Sequence, residues 1–540
     1  MLKQGRWKKV KKGLTKITEE AVVGSYHLFL GNTVSTFILA LTSMIIARLL
    51  GPEDYGIYSL ALVLPTILAG LINFGMTSAI THFSAKLIAE GKKQNISKLI
   101  ETSLLFELLV SLIASVFCFF FSEVLAKFLI GRAELNLQVR LASTLILLQT
   151  LFNLLASIFI GLNSMEINAR MLIVSSLIKV ILSPVLIVIG FGVTGAISGQ
   201  VLYFTTAIVI GFIYLEKYKI VNFHWRIDST TLKEIFKYSL PIYASSLLVL
   251  LFIQYQSMVL AFFTSNTEVG NFQVTTLFAS AILILVFPFT SLFPSFTKVR
   301  SRLDDLQRMF SISVKYTAIL VVPASLAIAT LSKDLILTFF GSEFNLAPTF
   351  LMLYILTNLY AGLGSSVVTF LFSGVGNTTA VLKLDLINFV VFLPLAPLLT
   401  QLWGGVGLIF AIIIAKTAMS LYGLLIATKE VGVHPDMKSS IKIYVSSILT
   451  MIPLIIFLKL SPFQSFINLL ISSVIFFGSY LTLLPVIGAV NKSDVETLQS
   501  IFRKNTTLTL ILKPLFRFET MVINRFDKHE SLNKDINQAI

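Results

Sequence analysis

Nine stretches of this chain run for at least 25 residues without Asp, Glu, Lys or Arg: Ala21 to Ala47, Tyr55 to Ala85, Leu141 to Met165, Val180 to Leu215, Tyr238 to Thr267, Val269 to Thr297, Phe344 to Leu382, Leu386 to Ala415 and Leu460 to Asn491. A helix of about 20 apolar residues crosses the hydrocarbon core of a bilayer, and helices or closed barrels are the structures that satisfy their own backbone there. Several runs are longer than one crossing and carry turn signals at Gly51-Pro52, Gly190 to Gly195, Ser265-Asn266, Gly374 to Asn377 and Trp403 to Gly407. Cutting there, and adding runs with one internal charge, predicts fourteen helices. The expected spans are 26–50, 57–85, 99–121, 139–161, 172–190, 194–215, 238–263, 270–297, 313–331, 348–372, 381–400, 406–427, 441–459 and 465–488. The fold class is therefore an all-α integral membrane protein. Composition agrees: only 13% of residues are charged, against roughly 25% in soluble proteins. Cys118 is the single cysteine, which excludes a disulfide scaffold.

A net charge of +15 would suggest nucleic acid in a soluble chain; here membrane topology explains it and no nucleic-acid partner is expected. Lys and Arg concentrate in cytoplasmic loops. With fourteen crossings and the N-terminus inside, 34 of the 42 basic residues fall on the inner side. Arg48, Lys127, Arg132, Arg140, Lys333 and Lys459 lie at or beyond the outer interface, and Lys179 and Lys416 stand in mid-helix. One helix more or fewer would scramble this sorting. The expectation is a multi-pass protein of the cytoplasmic membrane with both termini cytoplasmic. The basic arm 1–25 and the basic tail 489–540 read as topology determinants and contacts to anionic membrane lipids. No small-residue cleavage site closes the first helix, so it reads as retained. The sequons at Asn95, Asn377 and Asn505 fall on the inner side and carry no weight.

The chain repeats. A shift of 214 lays Asp54-Tyr55-Gly56-Ile57-Tyr58 on Glu268-Val269-Gly270-Asn271-Phe272, and Lys86 on Arg300. A shift of 210 lays Ser122, Leu125 and Gly131 on Ser332, Leu335 and Gly341, and a shift of 212 lays Gly192 and Gly195 on Gly404 and Gly407. Two six-helix bundles follow, 26–215 and 238–427, with helices 13 and 14 (441–488) appended. Six is even, so both copies enter from the same side as a parallel repeat facing across a central cleft. In the linker 216–237, Asp228-Ser229 ahead of Leu232, Glu234, Ile235 and Phe236 predicts a capped amphipathic helix at the inner surface.

The stretch Ala47-Arg48-Leu49-Leu50-Gly51-Pro52-Glu53-Asp54-Tyr55-Gly56, the run Asn73-Phe74-Gly75, and Gly161-Leu162-Asn163 before the fifth helix resemble the polysaccharide flippases that move lipid-linked oligosaccharides of the O-antigen and teichoic-acid type. These form a branch of the multidrug/oligosaccharidyl-lipid/polysaccharide exporter superfamily. The resemblance covers all fourteen helices. It implies a V-shaped, MATE-like transporter working by alternating access on a polyprenyl-phosphate- or diphosphate-linked glycan, with no enzymatic activity and no cofactor. Coupling to H+, Na+ or the membrane potential is open, and polysaccharide polymerases or glycosyltransferases are the expected partners.

Intramembrane ionisable groups are costly and usually face a cavity. Lys179 and Lys416 either neutralise a substrate phosphate or pair with carboxylates, for which Glu107 and Asp385 are the candidates. Arg48, in the matched motif, either binds substrate or anchors the helix end against Glu53 or Asp54. Of Gln254 and Gln256, half a turn apart, one faces the cleft and the other joins helices; Gln256 is taken for the site. Similar flippases place an acid in the seventh helix, which this chain lacks. Asn32, Asn73, Gln149, Asn153, Asn358 and Asn388 face a cleft or bond neighbouring helices. Pro65, Pro184, Pro288, Pro294, Pro323 and Pro394 are expected to kink helices. No nucleotide fingerprint, metal cluster or nucleophile constellation appears. An ion-coupled exporter of small cations of the same fold is the alternative, though it would want carboxylates in its cleft and no buried lysines. A membrane-embedded glycosyltransferase would want large outer loops and catalytic carboxylates.

Overall fold

A computed structural model describes residues 2–221, 226–282, 296–297, 302–502, 514, 517–522 and 524. Most of the second half of the expected helix 270–297, with Pro288 and Pro294, lies outside these residues, as do Lys298, Arg300, Asn505 and most of the tail. In chain order the α-helices are α1 (Leu2–Ile72), α2 (Met76–Ala89), α3 (Lys93–Phe120), α4 (Ser122–Leu125), α5 (Asn136–Ala142), α6 (Thr144–Gly161), α7 (Met165–Leu186), α8 (Gly192–Lys217), α9 (Ser229–Phe263) and α10 (Asn266–Ala281). They continue as α11 (Leu303–Thr330), α12 (Ser332–Phe339), α13 (Ala347–Ile355), α14 (Ser365–Val375), α15 (Thr378–Ile426), α16 (Met437–Leu460), α17 (Ser465–Val486) and α18 (Lys492–Phe502). The protein is an all-helical membrane protein.

Among the described residues, nine helical spans are long and apolar enough to cross a bilayer, ten if the bent pair formed by 347–363 and α14 is one span. Three of the nine are double. The span in α1 breaks at Gly51 (φ 73°, ψ 174°), the α7–α8 span at Gly190 and Gly192, and α15 at Trp403 and Gly404. Only glycine holds such positive φ angles without strain, so the punctuation that divided the runs on sequence also divides the helices, and the count is consistent with fourteen crossings. Two repeat pairs share their backbone as well: Gly192 (φ 49°, ψ −127°) with Gly404 (φ 58°, ψ −140°), and Gly131 (φ 75°) with Gly341 (φ 96°).

One expected element is different. The linker helix is not separate: Asp228 caps it by accepting from the Thr231 N–H at 2.8 Å, and the helix then continues without interruption to Phe263 as α9. Hydrogen bonds from Thr230 and Thr231, and Lys98 at 3.1 Å, hold the Asp228 carboxyl below the usual carboxylate range.

The chain forms two compact units, one of Met1–Gln273 with Ala396–Leu408, the other of Val274–Leu395 with Ile409–Ile540. In the first, Leu60, Leu64, Met76, Ile80, Ile146, Leu155, Phe159 and Met171 make the core. In the second, Phe310, Val314, Leu371, Phe372 and Leu384 form one cluster and Tyr316, Ile443, Tyr480 and Leu484 another. Large apolar side chains such as Phe37, Phe120, Val188 and Val474 are exposed along the helices, as lipid-facing surfaces require. Intrahelical serines and threonines bond back one turn, as in Thr66 to Leu62 O and Thr150 to Ile146 O, so they add no net polarity to the bilayer.

Candidate functional site

The site begins where a helix fails. After Ile72 the chain passes through Asn73, Phe74 (φ 45°) and Gly75 (φ 74°) before α2 starts, and that break frees carbonyl groups inside the membrane. Two hydroxyls one turn apart on α9 take them: Ser239 donates to Phe74 O at 2.7 Å and Tyr243 to Leu71 O at 2.8 Å. Gly75 is required here, since a Cβ would stand 2.9 Å from Ser239. The second unit repeats the device. Residues 356–363 run as a 3-10 turn between α13 and α14, and Ser440 and Tyr444 of α16 donate to Gly362 O and Leu359 O.

Beside the first break lies a cavity of about 460 Å³, within the roughly 300–1,000 Å³ typical of small-molecule sites. Each wall is one face of a helix. Thr66 and Gly70 come from α1, Asn73 from the break, Thr77 from α2, Gln149, Asn153 and Ser157 from α6, and Tyr243, Ser246 and Leu250 from α9. No charged side chain lines it. Thr66, Ser157 and Tyr243 spend their hydroxyl protons on carbonyls. The Gln149 and Asn153 carboxamides make no side-chain hydrogen bond among the described residues, leaving two donor-acceptor pairs for a ligand.

Behind this wall sits Glu107 of α3, 1% exposed. Its Oε1 accepts from Asn73 Nδ2 at 3.3 Å, and its Oε2 has no partner among the described residues. The ion pair expected with Lys179 does not form: α3 packs on α1, α2 and α6, whereas α7 packs mainly on α1 and α8. Lys179 is 7% exposed and outside the cavity lining, near the Ser35–Ser176 hydrogen bond of 2.6 Å that joins α1 to α7.

The other candidates are spread out. Lys416 is half-buried in the second unit; its ammonium donates to Thr357 Oγ1 at 3.3 Å and lies 5.8 Å from the Tyr354 ring centroid. Hydroxyl and ring therefore hold it, in place of the expected Asp385 carboxylate, which is half-buried on α15. Arg48 is exposed, with no ion pair to Glu53 or Asp54. Gln256 is 4% exposed on α9, beyond the cavity, which ends at Leu250. Sequence reasoning weighted the charged residues and left Asn73, Gln149 and Asn153 undecided. The signal was their spacing, four residues apart on α6 with Ser157 four further on.

The polysaccharide biosynthesis protein family matches residues 22–300 of this chain. The succinoglycan biosynthesis transport protein ExoT of Rhizobium meliloti (strain 1021) is 22% identical over 304 residues, 56% of this chain. The match spans 59% of that relative's length. Among solved structures, the lipid II flippase MurJ in its inward closed conformation has a TM-score of 0.68 at 17% identity, covering 86% of this chain and 98% of that one. An inward-facing multidrug resistance MATE family transporter of the MOP superfamily has a TM-score of 0.60 at 17% identity, covering 75% and 98%. At that identity the likeness shows the fold alone, one that this chain shares with both of those structures. The family match extends over more than half of the sequence, and the chain belongs to the polysaccharide biosynthesis protein family.

Proposed function

We propose that the protein is a transporter that flips a polyprenyl-phosphate- or diphosphate-linked glycan across the cytoplasmic membrane by alternating access, without catalysing a reaction. The observation that carries this is the neutral cavity of the first unit, with the uncommitted carboxamides of Gln149 and Asn153. A sugar presents hydroxyls that donate and accept in equal measure, and a carboxamide answers both. Membership of a polysaccharide biosynthesis family, a succinoglycan transport relative and a lipid II flippase among the fold neighbours all favour this cargo. A small-cation exporter would place a carboxylate in the lining, and Glu107 is behind it.

In this reading 26–215 and 238–427 are the two moving bundles, joined through 216–237, with both termini, the arm 1–25 and the tail 489–540 on the cytoplasmic side against anionic lipids. The shared backbone of Gly192 and Gly404 supports the division. Lys416, held by a hydroxyl and a ring, is the group we assign to the phosphate; Lys179, Arg48 and Gln256 remain secondary contacts along the path. Helices 13 and 14 (441–488) flank the second bundle. Polymerases or glycosyltransferases are the proteins expected to supply or receive the cargo.

The test is glycan export in cells that depend on this protein. Gln149→Leu with Asn153→Leu keeps size and apolar packing but removes the sugar-facing groups. Surface glycan should fall at least tenfold at unchanged membrane abundance; full export would contradict the assignment.

A further inference from the structure

Glu107 is a carboxyl at a fully buried position of an otherwise apolar stretch of α3. A carboxylate anion buried in a membrane protein is costly unless cations or several donors surround it, and this one has a single donor, Asn73, at 3.3 Å. Its Oε2 is buried with no partner among the described residues. Among the described residues no charged side chain pairs with it. Glu123 of α4 stands about four helical turns along the chain from Glu107, and Lys233, Glu234 and Lys237 of α9 stand near the capped end of their helix. α6 carries no charged residue in its sequence. On α2, His82 stacks on Tyr238 at 4.4 Å and Lys86 lines a separate cavity. On α5, Arg140 donates to Ser122 and covers the Phe119 ring. On α9, the Tyr243 hydroxyl is committed to Leu71 O. On α1, Arg48, Glu53, Asp54, Tyr55 and Tyr58 stand at the far end from Asn73, and on α3 itself Glu101 accepts from the Arg226 N–H.

Among the described residues, the side chain that bonds the Glu107 carboxyl also lines the cavity. Asn73 lines it, donating Nδ2 to Glu107 while its Oδ1 accepts from Thr77 Oγ1 at 3.4 Å. A carboxylate can only accept, so it holds the carboxamide with its nitrogen turned back and its oxygen toward Thr77 and the cavity. A protonated carboxyl donates from its O–H instead, and the matching orientation of Asn73 is the reverse, oxygen to Glu107 and NH2 toward the cavity.

We infer that Glu107 is a proton-binding site whose occupancy sets, through the orientation of Asn73, whether that wall of the cavity offers a hydrogen-bond acceptor or a donor. One solvent proton bonds to Glu107 Oε1, the oxygen that faces Asn73; the buried charge disappears, and the carboxamide turns over to accept from that O–H. Oε2, unpartnered among the described residues, is then a neutral carbonyl oxygen, which is less costly to leave unbonded than half of a carboxylate. The inference rests on the cavity being the glycan site only for its consequence in transport, since the proton switch itself belongs to the protein alone.

The experiment is infrared difference spectroscopy of the full chain in lipid, titrated in pH, followed by binding of a polyprenyl-diphosphate-linked N-acetylglucosamine. A protonated-carboxyl C=O band should appear on acidification in the wild type, vanish in Glu107→Gln, and move to higher wavenumber in Asn73→Leu, where its hydrogen bond is gone. Glu107→Gln is nearly isosteric, and an unchanged melting profile is the control that it folds. Probe affinity should change at least fivefold across the titration in the wild type and be flat in Glu107→Gln. Absence of the band, or a band that ignores Asn73→Leu, overturns the inference. A titrating, Asn73-sensitive band with no probe binding at any pH upholds the proton switch and refutes the glycan reading.

Discussion

The sharpest prediction concerns the crossing of the two helices that follow Gly51 and Ser265. A Cβ on Gly56 would stand 2.0 Å from Asn266 O, and one on Gly270 would stand 1.9 Å from Pro52 O. The pairs are related by the repeat shift of 214, so the contact is reciprocal. In each case the obstacle is a backbone carbonyl, which cannot swing aside as a side chain would. An alanine at either position must push the two backbones apart by roughly 1 Å merely to leave the forbidden range below 3.0 Å, an overpacking strain of about 1–3 kcal/mol. Because both alanines force the same separation, the second should cost much less than the first, a non-additivity that a double-mutant cycle reads directly. Gly478 is the control: it has nothing within 4 Å of its Cβ position, and alanine there should be neutral or stabilising by up to about 1 kcal/mol. The assay is thermal unfolding of the purified protein in detergent micelles, comparing Gly56→Ala, Gly270→Ala, the double variant and Gly478→Ala. Gly56→Ala and Gly270→Ala as stable as Gly478→Ala, or fully additive losses in the double variant, would refute the crossing.

Two further predictions follow from charged groups. Lys416→Ala should impair surface glycan export with normal membrane insertion, Lys416→Arg should restore part of it, and Lys179→Ala should have the smaller effect; full export by the double alanine variant would remove both from the substrate path. In the tail, burial first and Asp494 second raise the Glu519 carboxyl to about 7, beside an Asp494 already held by Lys315 at 2.6 Å. The docked segment thus binds the proton more tightly than the free one. Docking is strongest below the ordinary carboxylate value near 4.5 and weakens as pH rises through about 7. Amide protection across 517–522, corrected for intrinsic exchange, should fall between about pH 5 and pH 8, and Glu519→Gln should flatten the change; equal protection at both pH values in the wild type would count against it.

The helices and their breaks were legible because the bilayer leaves few alternatives. A run without charge must cross, and a run too long to cross must bend where glycine permits, as at Gly51, Gly192 and Gly404. The repeat was legible for a related reason, since both copies place a glycine at the same break, Gly192 in one and Gly404 in the other. Less visible was the continuity of α9, because a surface helix and a spanning helix in phase leave no mark at their join. Charge stands out in an apolar sequence, so Lys179 and Lys416 were the visible candidates, whereas the cavity beside the Asn73 break is lined by neutral side chains that an apolar pattern does not single out. The bond between Asn73 and Glu107 spans 34 positions, a distance no local pattern encodes. The Ser-x-x-x-Tyr pairs at Ser239/Tyr243 and Ser440/Tyr444 could have been seen as repeated, though not what they bind.

The central claim is that this chain moves a lipid-linked glycan between leaflets, and the direct measurement is leaflet-specific labelling in reconstituted vesicles. Vesicles loaded with a polyprenyl-diphosphate-linked N-acetylglucosamine should expose it to an external sugar-modifying reagent beyond the half initially outside. That excess should depend on the protein and disappear in the Gln149→Leu/Asn153→Leu variant. Exposure stopping at one half with folded, correctly inserted protein would contradict the account.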